Sequence, residues 1–165
     1  MQSSCQWAFG NSYAATFLSL AWAYYQTGDA NAQAYVKTLN YQLDVIGGVI
    51  VQTQQADGLT WAKPDYQIKY LMDNCEAYRG LSDLASLYQV AFNNPTKSSY
   101  YSTHAAQMLQ GIQNDLWNAG QNDYYTYIST IQSQYVSQGF PWPWYCAEAG
   151  WFLSTNSYML GNRPL

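Results

Sequence analysis

Charge is the scarcest property of this 165-residue sequence: only 10% of its residues are Asp, Glu, Lys or Arg, against roughly 25% in an average soluble domain. The six Lys and Arg residues are scattered and form no basic cluster. Nucleic-acid binding needs such a cluster to neutralise phosphates, so we expect no nucleic-acid partner. No apolar run approaches the ~20 residues of a membrane span, so we expect no membrane partner either.

Metal-binding residues are also few. The sequence has one histidine and three cysteines, and no two cysteines form a Cys-x-x-Cys pair. A structural zinc site usually needs four Cys or His ligands, so we predict neither a metal nor another cofactor. Three cysteines leave two alternatives open, either one disulfide with one thiol or three buried thiols. The usual nucleotide-binding, zinc-protease and α/β-hydrolase motifs do not occur.

Uncharged polar and aromatic residues replace the missing charge. The chain is 48% hydrophobic and 18% aromatic, with 17 Tyr, 17 Gln and 11 Asn. This composition excludes intrinsic disorder, and the length suits a single domain over residues 1–165. The scarcity of Lys and Glu beside abundant Tyr and Trp favours an extracellular or secreted protein. Residues 1–4 do not resemble a signal peptide, because a basic and an apolar stretch are missing.

Helical periodicity dominates the chain and predicts an all-α fold built from antiparallel helical hairpins. The predicted helices cover residues 11–26, 30–54, 65–70, 73–92, 98–117 and 145–160. Gly28 should end the first helix and Asp29 should cap the second, while Asn11 and Asp73 should cap the helices that follow them. The glycine pair at 47–48 predicts a kink or a close helix contact. Segments 124–128 and 134–136 have strand propensity and predict a small β-hairpin.

An internal repeat relates the long helices. Residues 11–26 align without gaps with residues 74–89, with identities at Asn11/Asn74, Ala14/Ala77, Leu18/Leu81, Ser19/Ser82, Tyr25/Tyr88 and Gln26/Gln89. A shift of 72 residues then places Glu76 and Ala77 on Glu148 and Ala149. The predicted hairpins are therefore residues 11–55 and 74–117, and residues 145–160 are predicted to form a third equivalent inner helix.

Several short segments carry a resemblance to a known family. These segments are residues 24–29 (YYQTGD), 57–61 (DGLTW), 69–74 (KYLMDN) and 123–127 (DYYTY), followed by Pro-Trp-Pro at 141–143. Together with the hairpin length of about 60 residues, they resemble the six-hairpin glycosidases, whose fold is an (α/α)6 toroid. That family closes its ring from six hairpins, whereas this chain has two and the first helix of a third. The chain is therefore a piece of a longer enzyme, associates with further copies, or forms an open helical array.

The resemblance implies glycoside hydrolysis, which generally requires two carboxylates flanking the scissile bond. Glutamate occurs only twice, at Glu76 and Glu148, and both fall at the same repeat position. We therefore expect the acids at the starts of the inner helices to line one rim, with aromatic side chains on which sugar rings stack. The candidate catalytic residues are Asp65, Asp73, Glu76 and Glu148. The candidate sugar platforms are Trp61, Tyr66, Trp142 and Trp144.

Each of these residues also has a purely structural interpretation. Acids in a first helical turn are favoured by the helix dipole, and a capping box explains Asp73 and Glu76 without any chemistry. The i,i+4 spacing allows Lys69 to pair with Asp65 or with Asp73. A helix N-terminus also lowers the pKa of a carboxyl group, which suits a base or nucleophile better than an acid. The tryptophans suit the edge of a core as well as a ligand surface.

The function predicted from the sequence is a glycosidase-like, carbohydrate-active protein that binds or hydrolyses a glycan. Its helix-terminal carboxylates would perform the chemistry, and Trp and Tyr platforms would hold the sugar. Two alternatives remain open, namely a non-catalytic helical-repeat binding module and a self-assembling extracellular structural protein. The expected partners are a glycan and further copies of the chain in a homo-oligomer.

Overall fold

The computed structural model of the chain describes residues 10–120, 122–129 and 134–136. Within these ranges helices predominate and the strands are short, so the predicted all-α class with a small β-hairpin is confirmed. The helices are α1 (Asn11–Gln26), α2 (Ala30–Thr38), α3 (Asn40–Thr53), α4 (Leu71–Val90) and α5 (Pro95–Asp115). The strands are β1 (Ile68–Tyr70), β2 (Trp117–Asn118), β3 (Asp123–Tyr124), β4 (Tyr127–Ser129) and β5 (Gln134–Val136). The predicted helix over 145–160 lies outside the described residues.

The turn between α1 and α2 follows the sequence signals closely. Gly28 adopts a φ of +76°, a conformation that glycine accepts without a steric penalty. Asp29 then caps α2, because its Oδ1 accepts hydrogen bonds from the backbone N–H groups of Asn31 at 2.9 Å and Ala32 at 2.8 Å. Gly28 therefore ends α1 and Asp29 caps α2, as the sequence predicts.

The predicted helix over 30–54 is divided in two. The break lies at Leu39, whose φ of −89° and ψ of 6° separate α2 from α3. Gly47 and Gly48 lie inside α3 and do not interrupt it. A Cβ atom at Gly47 would come within 2.4 Å of Leu84 Cδ2 and 2.9 Å of Tyr101 Cε1. Of the two alternatives for this glycine pair, the close helix contact is the one found.

The predicted short helix over 65–70 is wrong, because this segment forms a turn and a strand. Lys63 and Tyr66 exchange backbone hydrogen bonds of 3.3 and 3.0 Å around Pro64, which occupies a turn position rather than a first helical turn. Ile68 and Tyr70 then pair antiparallel with Ser129 and Tyr127. β4 also pairs with β5, so the predicted hairpin gains a third strand from a distant part of the sequence.

Helix α4 is the centre of the helical layer, since it packs against both α1 and α5. Its close approach to α1 depends on Gly80, where an added Cβ atom would lie 2.6 Å from Ala15 Cα and 2.8 Å from Ala15 O. Repeat-equivalent residues of the two helices are buried together in the core. These pairs are Asn11/Asn74, Ala14/Ala77 and Leu18/Leu81.

Asp44 of α3 joins the first hairpin to the second through side-chain contacts. Its Oδ1 accepts hydrogen bonds from Tyr101 Oη at 2.8 Å and Tyr88 Oη at 3.0 Å, and its Oδ2 pairs with Lys97. Burial raises the pKa of this carboxyl group, but the hydrogen bonds from Lys97, Tyr101 and Tyr88 outweigh burial and lower it below its ordinary value. The rings of Tyr88 and Tyr101 stack with centroids 5.5 Å apart.

Substitution of Gly80 tests the close contact between α1 and α4. We expect Gly80→Ala to lower the free energy of unfolding by roughly 1–3 kcal/mol, because its methyl group meets the backbone of Ala15. The matched control is Gly48→Ala, where nothing lies within 4 Å of the new Cβ atom. This control should gain roughly 0.5–1 kcal/mol from helix propensity. Urea unfolding of both variants gives the comparison, and equal effects at the two positions would contradict the packing described.

Candidate functional site

The loop over residues 54–62 lies against the starts of α1 and α4, and two buried asparagines hold it there. Asn11, expected as a cap, is instead the first residue of α1, and its Nδ2 donates to Thr53 Oγ1 at 2.7 Å and to the carbonyl oxygen of Trp61. Its repeat equivalent Asn74 holds Thr60 in a similar way. The two helices therefore use equivalent residues to fix one loop.

Asn74 satisfies its whole side-chain amide in this way. Its Oδ1 accepts from Thr60 N at 2.7 Å and from Thr60 Oγ1 at 3.1 Å. Its Nδ2 donates to Tyr70 O at 2.8 Å and to Thr60 O at 3.3 Å. The side chain is fully buried, so these bonds replace those that water would make.

Asp73 is not the helix cap that the sequence predicted. The N-cap of α4 is Tyr70, which makes no side-chain capping bond, while Leu71 N donates to Thr126 O at 2.9 Å. The helix therefore begins earlier than expected, because the loop before β4 supplies the acceptor. Asp73 falls within the first turn, where burial raises its pKa from 3.8 to about 6. The expected lowering by the helix N-terminus is therefore wrong for Asp73, since desolvation outweighs it.

Three tyrosines form a row of contacts at the start of α4, and the middle one, Tyr70, lies close enough to Asp73 to interact with its charge. The hydroxyl groups of Tyr66 and Tyr70 are 3.1 Å apart, and the rings of Tyr70 and Tyr127 have centroids 5.6 Å apart. Burial raises the pKa of Tyr70, and the hydrogen bond with Tyr66 and the charge of Asp73 raise it further. Burial therefore favours the protonated form of the Tyr70 hydroxyl group, which can donate or accept a hydrogen bond.

Glu76 lies three residues after Asp73, on the same face of α4, where Cβ atoms are about 5–6 Å apart. It is buried, and its Oε2 accepts a hydrogen bond from Ser12 Oγ of α1. The capping interpretation of Glu76 is wrong, because α4 begins at Leu71 and Glu76 therefore lies beyond its first turn. The two carboxyl groups thus differ in their surroundings, one in a desolvated position beside tyrosines and the other bonded to a serine.

The remaining predicted site residues differ in position. Asp65 is exposed in the turn before β1, next to Tyr66. Trp61 is half-buried in the loop, and its indole Nε1 is buried without a hydrogen-bond partner among the described residues. Lys69 pairs with Asp57 rather than with Asp65 or Asp73, because it points from β1 towards the 57–58 turn. Glu148, Trp142 and Trp144 lie outside the described residues.

Tyr70 and Tyr127 belong to this site although sequence reasoning assigned them no role in it. The sequence pattern predicts that Tyr127 packs in a hairpin and that Tyr70 ends a helix. Neither prediction indicates that the two residues lie near Asp73.

Cys75 is fully buried next to Asn74. Cys5 and Cys146 lie outside the described residues, so the state of the three cysteines stays a prediction.

The described residues contain no group of three His, Cys, Asp or Glu side chains that could hold a metal ion. In the same part of the chain, no helix has the length and apolarity that crossing a membrane requires. Compared with protein-family models, curated proteins and solved structures, the chain matches none of them.

The raised pKa of Asp73 predicts a stability change with pH. The folded chain binds a proton on Asp73 between about pH 3.8 and 6 that the unfolded chain has released, so this group opposes folding as the pH rises through that window. We expect Asp73→Asn to raise the free energy of unfolding by roughly 2–3 kcal/mol at pH 7, and by much less near pH 4.

Denaturant unfolding of wild type and Asp73→Asn at both pH values measures this difference. Asp65→Asn serves as the control, because its exposed side chain should change stability by less than about 0.5 kcal/mol. A stability gain that is the same at both pH values would show that Asp73 is not desolvated as described.

Proposed function

We propose that this protein is a glycosidase-like, carbohydrate-active protein related to the six-hairpin toroid enzymes. The observation that supports this proposal best is Asp73, a carboxyl group with a pKa of about 6 near Tyr70, which itself contacts Tyr66 and Tyr127. A general acid must hold its proton near neutral pH, and desolvation is the usual way to achieve this for a carboxyl group. The repeat at Asn11 and Asn74 supports the helical-hairpin part of the proposal.

In the proposed reaction, protonated Asp73 donates its proton to the glycosidic oxygen as the bond from that oxygen to the anomeric carbon breaks. A second carboxylate removes a proton from the water that adds to the anomeric carbon, or attacks that carbon first. Glu76 is the described candidate for this role, and its repeat equivalent Glu148 is the other. Tyr66, Tyr70 and Tyr127 would stack on the sugar ring and bond its hydroxyl groups.

The remaining predicted residues complete the proposed rim. Asp65 and Trp61 belong to the turn and loop that precede α4, so a glycan lying across the start of α4 would reach them. Trp142 and Trp144 are proposed as further platforms. A secreted or extracellular location is also part of the proposal, since carbohydrate-active proteins of this kind would act on polysaccharides outside the cell.

Hydrolysis of a panel of neutral polysaccharides tests the catalytic proposal. We expect wild type to release reducing ends with a rate that falls about tenfold per pH unit above pH 6, because Asp73 then loses its proton. Asp73→Asn should reduce the rate by about 10²–10⁴-fold, and Glu76→Gln should reduce it if Glu76 is the second carboxylate. Asp29→Asn, at the end of α1 away from the candidate site, should leave the rate unchanged, because Asn caps a helix as well as Asp does.

The outcome of that assay also separates the alternatives. Turnover that Asp73→Asn leaves intact would reject Asp73 as the acid, and unchanged hydrolysis in Glu76→Gln would exclude Glu76. Glycan binding without turnover would select the non-catalytic binding module. The self-assembling structural protein is favoured by one observation, the exposed apolar face of α1, which bears on partners rather than on chemistry.

A further inference from the structure

Helix α1 exposes a row of large apolar side chains to solvent. Tyr13, Phe17, Leu20 and Tyr24 are 69%, 44%, 63% and 46% exposed, and their spacing of three and four residues places them on one helix face. We call this row the α1 stripe. Helix α1 contains no charged residue over its whole length. An uncharged apolar row of this kind marks an interaction surface more often than a solvated one.

The repeat relates the α1 stripe to the residues with which α4 packs on α1. Helix α4 packs on α1 through Glu76, which bonds Ser12, through Gly80, which contacts Ala15, and through Asp83, which bonds Ser19. The residues of α1 that lie 63 positions before Glu76, Gly80, Asp83 and Leu87 are Tyr13, Phe17, Leu20 and Tyr24. The α1 stripe therefore occupies the positions with which an inner helix packs on the inner helix before it.

The opposite edge of the helical layer has a surface that could accept the α1 stripe. A groove of about 440 Å³ opens between α4 and α5, lined largely by small residues that include Ser82, Ala85, Ser86, Ser102, Ala105 and Ala106. We call it the α4–α5 groove. Ser82 is the repeat equivalent of Ser19, which receives Asp83 in the contact between α1 and α4. The face of α4 that lines the groove is thus equivalent, in the repeat, to the face of α1 against which α4 packs.

We propose that the α1 stripe of one copy docks in the α4–α5 groove of a second copy, in the same way that α4 packs on α1. One chain carries both halves of this contact, because the side chains of the α1 stripe are exposed to solvent and the same chain forms the α4–α5 groove. Neither half bears a charged residue, so neither requires an ionic partner. The large side chains of the stripe suit a groove lined by Ser and Ala, since shape complementarity governs such interfaces.

This contact is head-to-tail, because the stripe and the groove are different surfaces. Such an interface adds copies one after another until the rotation closes a ring or extends an open array. The proposal goes beyond glycan hydrolysis and does not depend on it. A competing occupant of the groove is residues 145–160 of the same chain, and the experiment distinguishes the two.

Light scattering of the full chain over a range of concentrations tests the proposal. Wild type should show a mass above the 18.7 kDa of one chain, increasing with concentration. Leu20→Glu on the stripe and Ala106→Glu in the groove should each weaken association by at least about tenfold, because each places a charge in an apolar contact. Both positions are exposed, so both variants should fold, which circular dichroism checks.

Mixing the two variants provides the decisive measurement. Leu20→Glu retains an intact groove and Ala106→Glu retains an intact stripe, so an equimolar mixture should form a 1:1 dimer that grows no further. Tyr41→Glu, on the exposed side of α3, and Gln107→Glu, beside Ala106, are the matched controls and should associate like wild type.

Three results would overturn the proposal. The first is a wild-type chain that stays monomeric at every concentration. The second is association that Leu20→Glu abolishes and Ala106→Glu leaves unchanged, which would mean that the groove is occupied by residues 145–160 or that the stripe pairs with itself. The third is a mixture of the two variants that stays monomeric.

Discussion

The buried amide of Asn74 is the interaction on which the candidate site depends. It joins Thr60, in the middle of the 54–62 loop, to the first turns of α4, and it has no exposed surface through which water could replace a lost bond. Asn11 performs the same task at the start of α1. Because both helices hold the same loop, the positions of Trp61, β1 and the tyrosines are fixed relative to Asp73. A buried amide with every bond satisfied gives this kind of positional specificity more reliably than apolar contact does.

Burial of a carboxyl group at a helix start sets two opposing effects against each other. The helix N-terminus favours the charged form, while desolvation favours the neutral form, and for Asp73 desolvation is the larger. This balance has a cost in stability at neutral pH, since ionising this carboxyl group requires more free energy in the folded chain than in the unfolded chain. Such costs are typical of functional sites, where a protonation state matters more than the last increment of stability.

Local signals in the sequence predicted the local features of the fold. The bounds of α1, the turn at Gly28 and the cap at Asp29 depend on neighbouring residues alone, so they could be read directly. β1 could not, because Ile68 and Tyr70 become a strand only by pairing with residues about 60 positions later. The sequence places Asp73 and Glu76 near the correct helix end, but the capping roles that form their structural interpretation are wrong. Capping depends on where the helix begins, and that point is set by the carbonyl group of Thr126.

Helix α2 stands apart from the rest of the layer, because it buries only Ala32 and Val36 and is separated from α3 by the break at Leu39. Segments with so few buried apolar contacts open locally at a small fraction of the global free energy of unfolding. The amide protons of α2 should therefore exchange with solvent while those of α1 and α4 stay protected. Proteases cleave locally opened segments first. A first cleavage within the described helices should therefore fall in α2 and leave the contact between α1 and α4 intact.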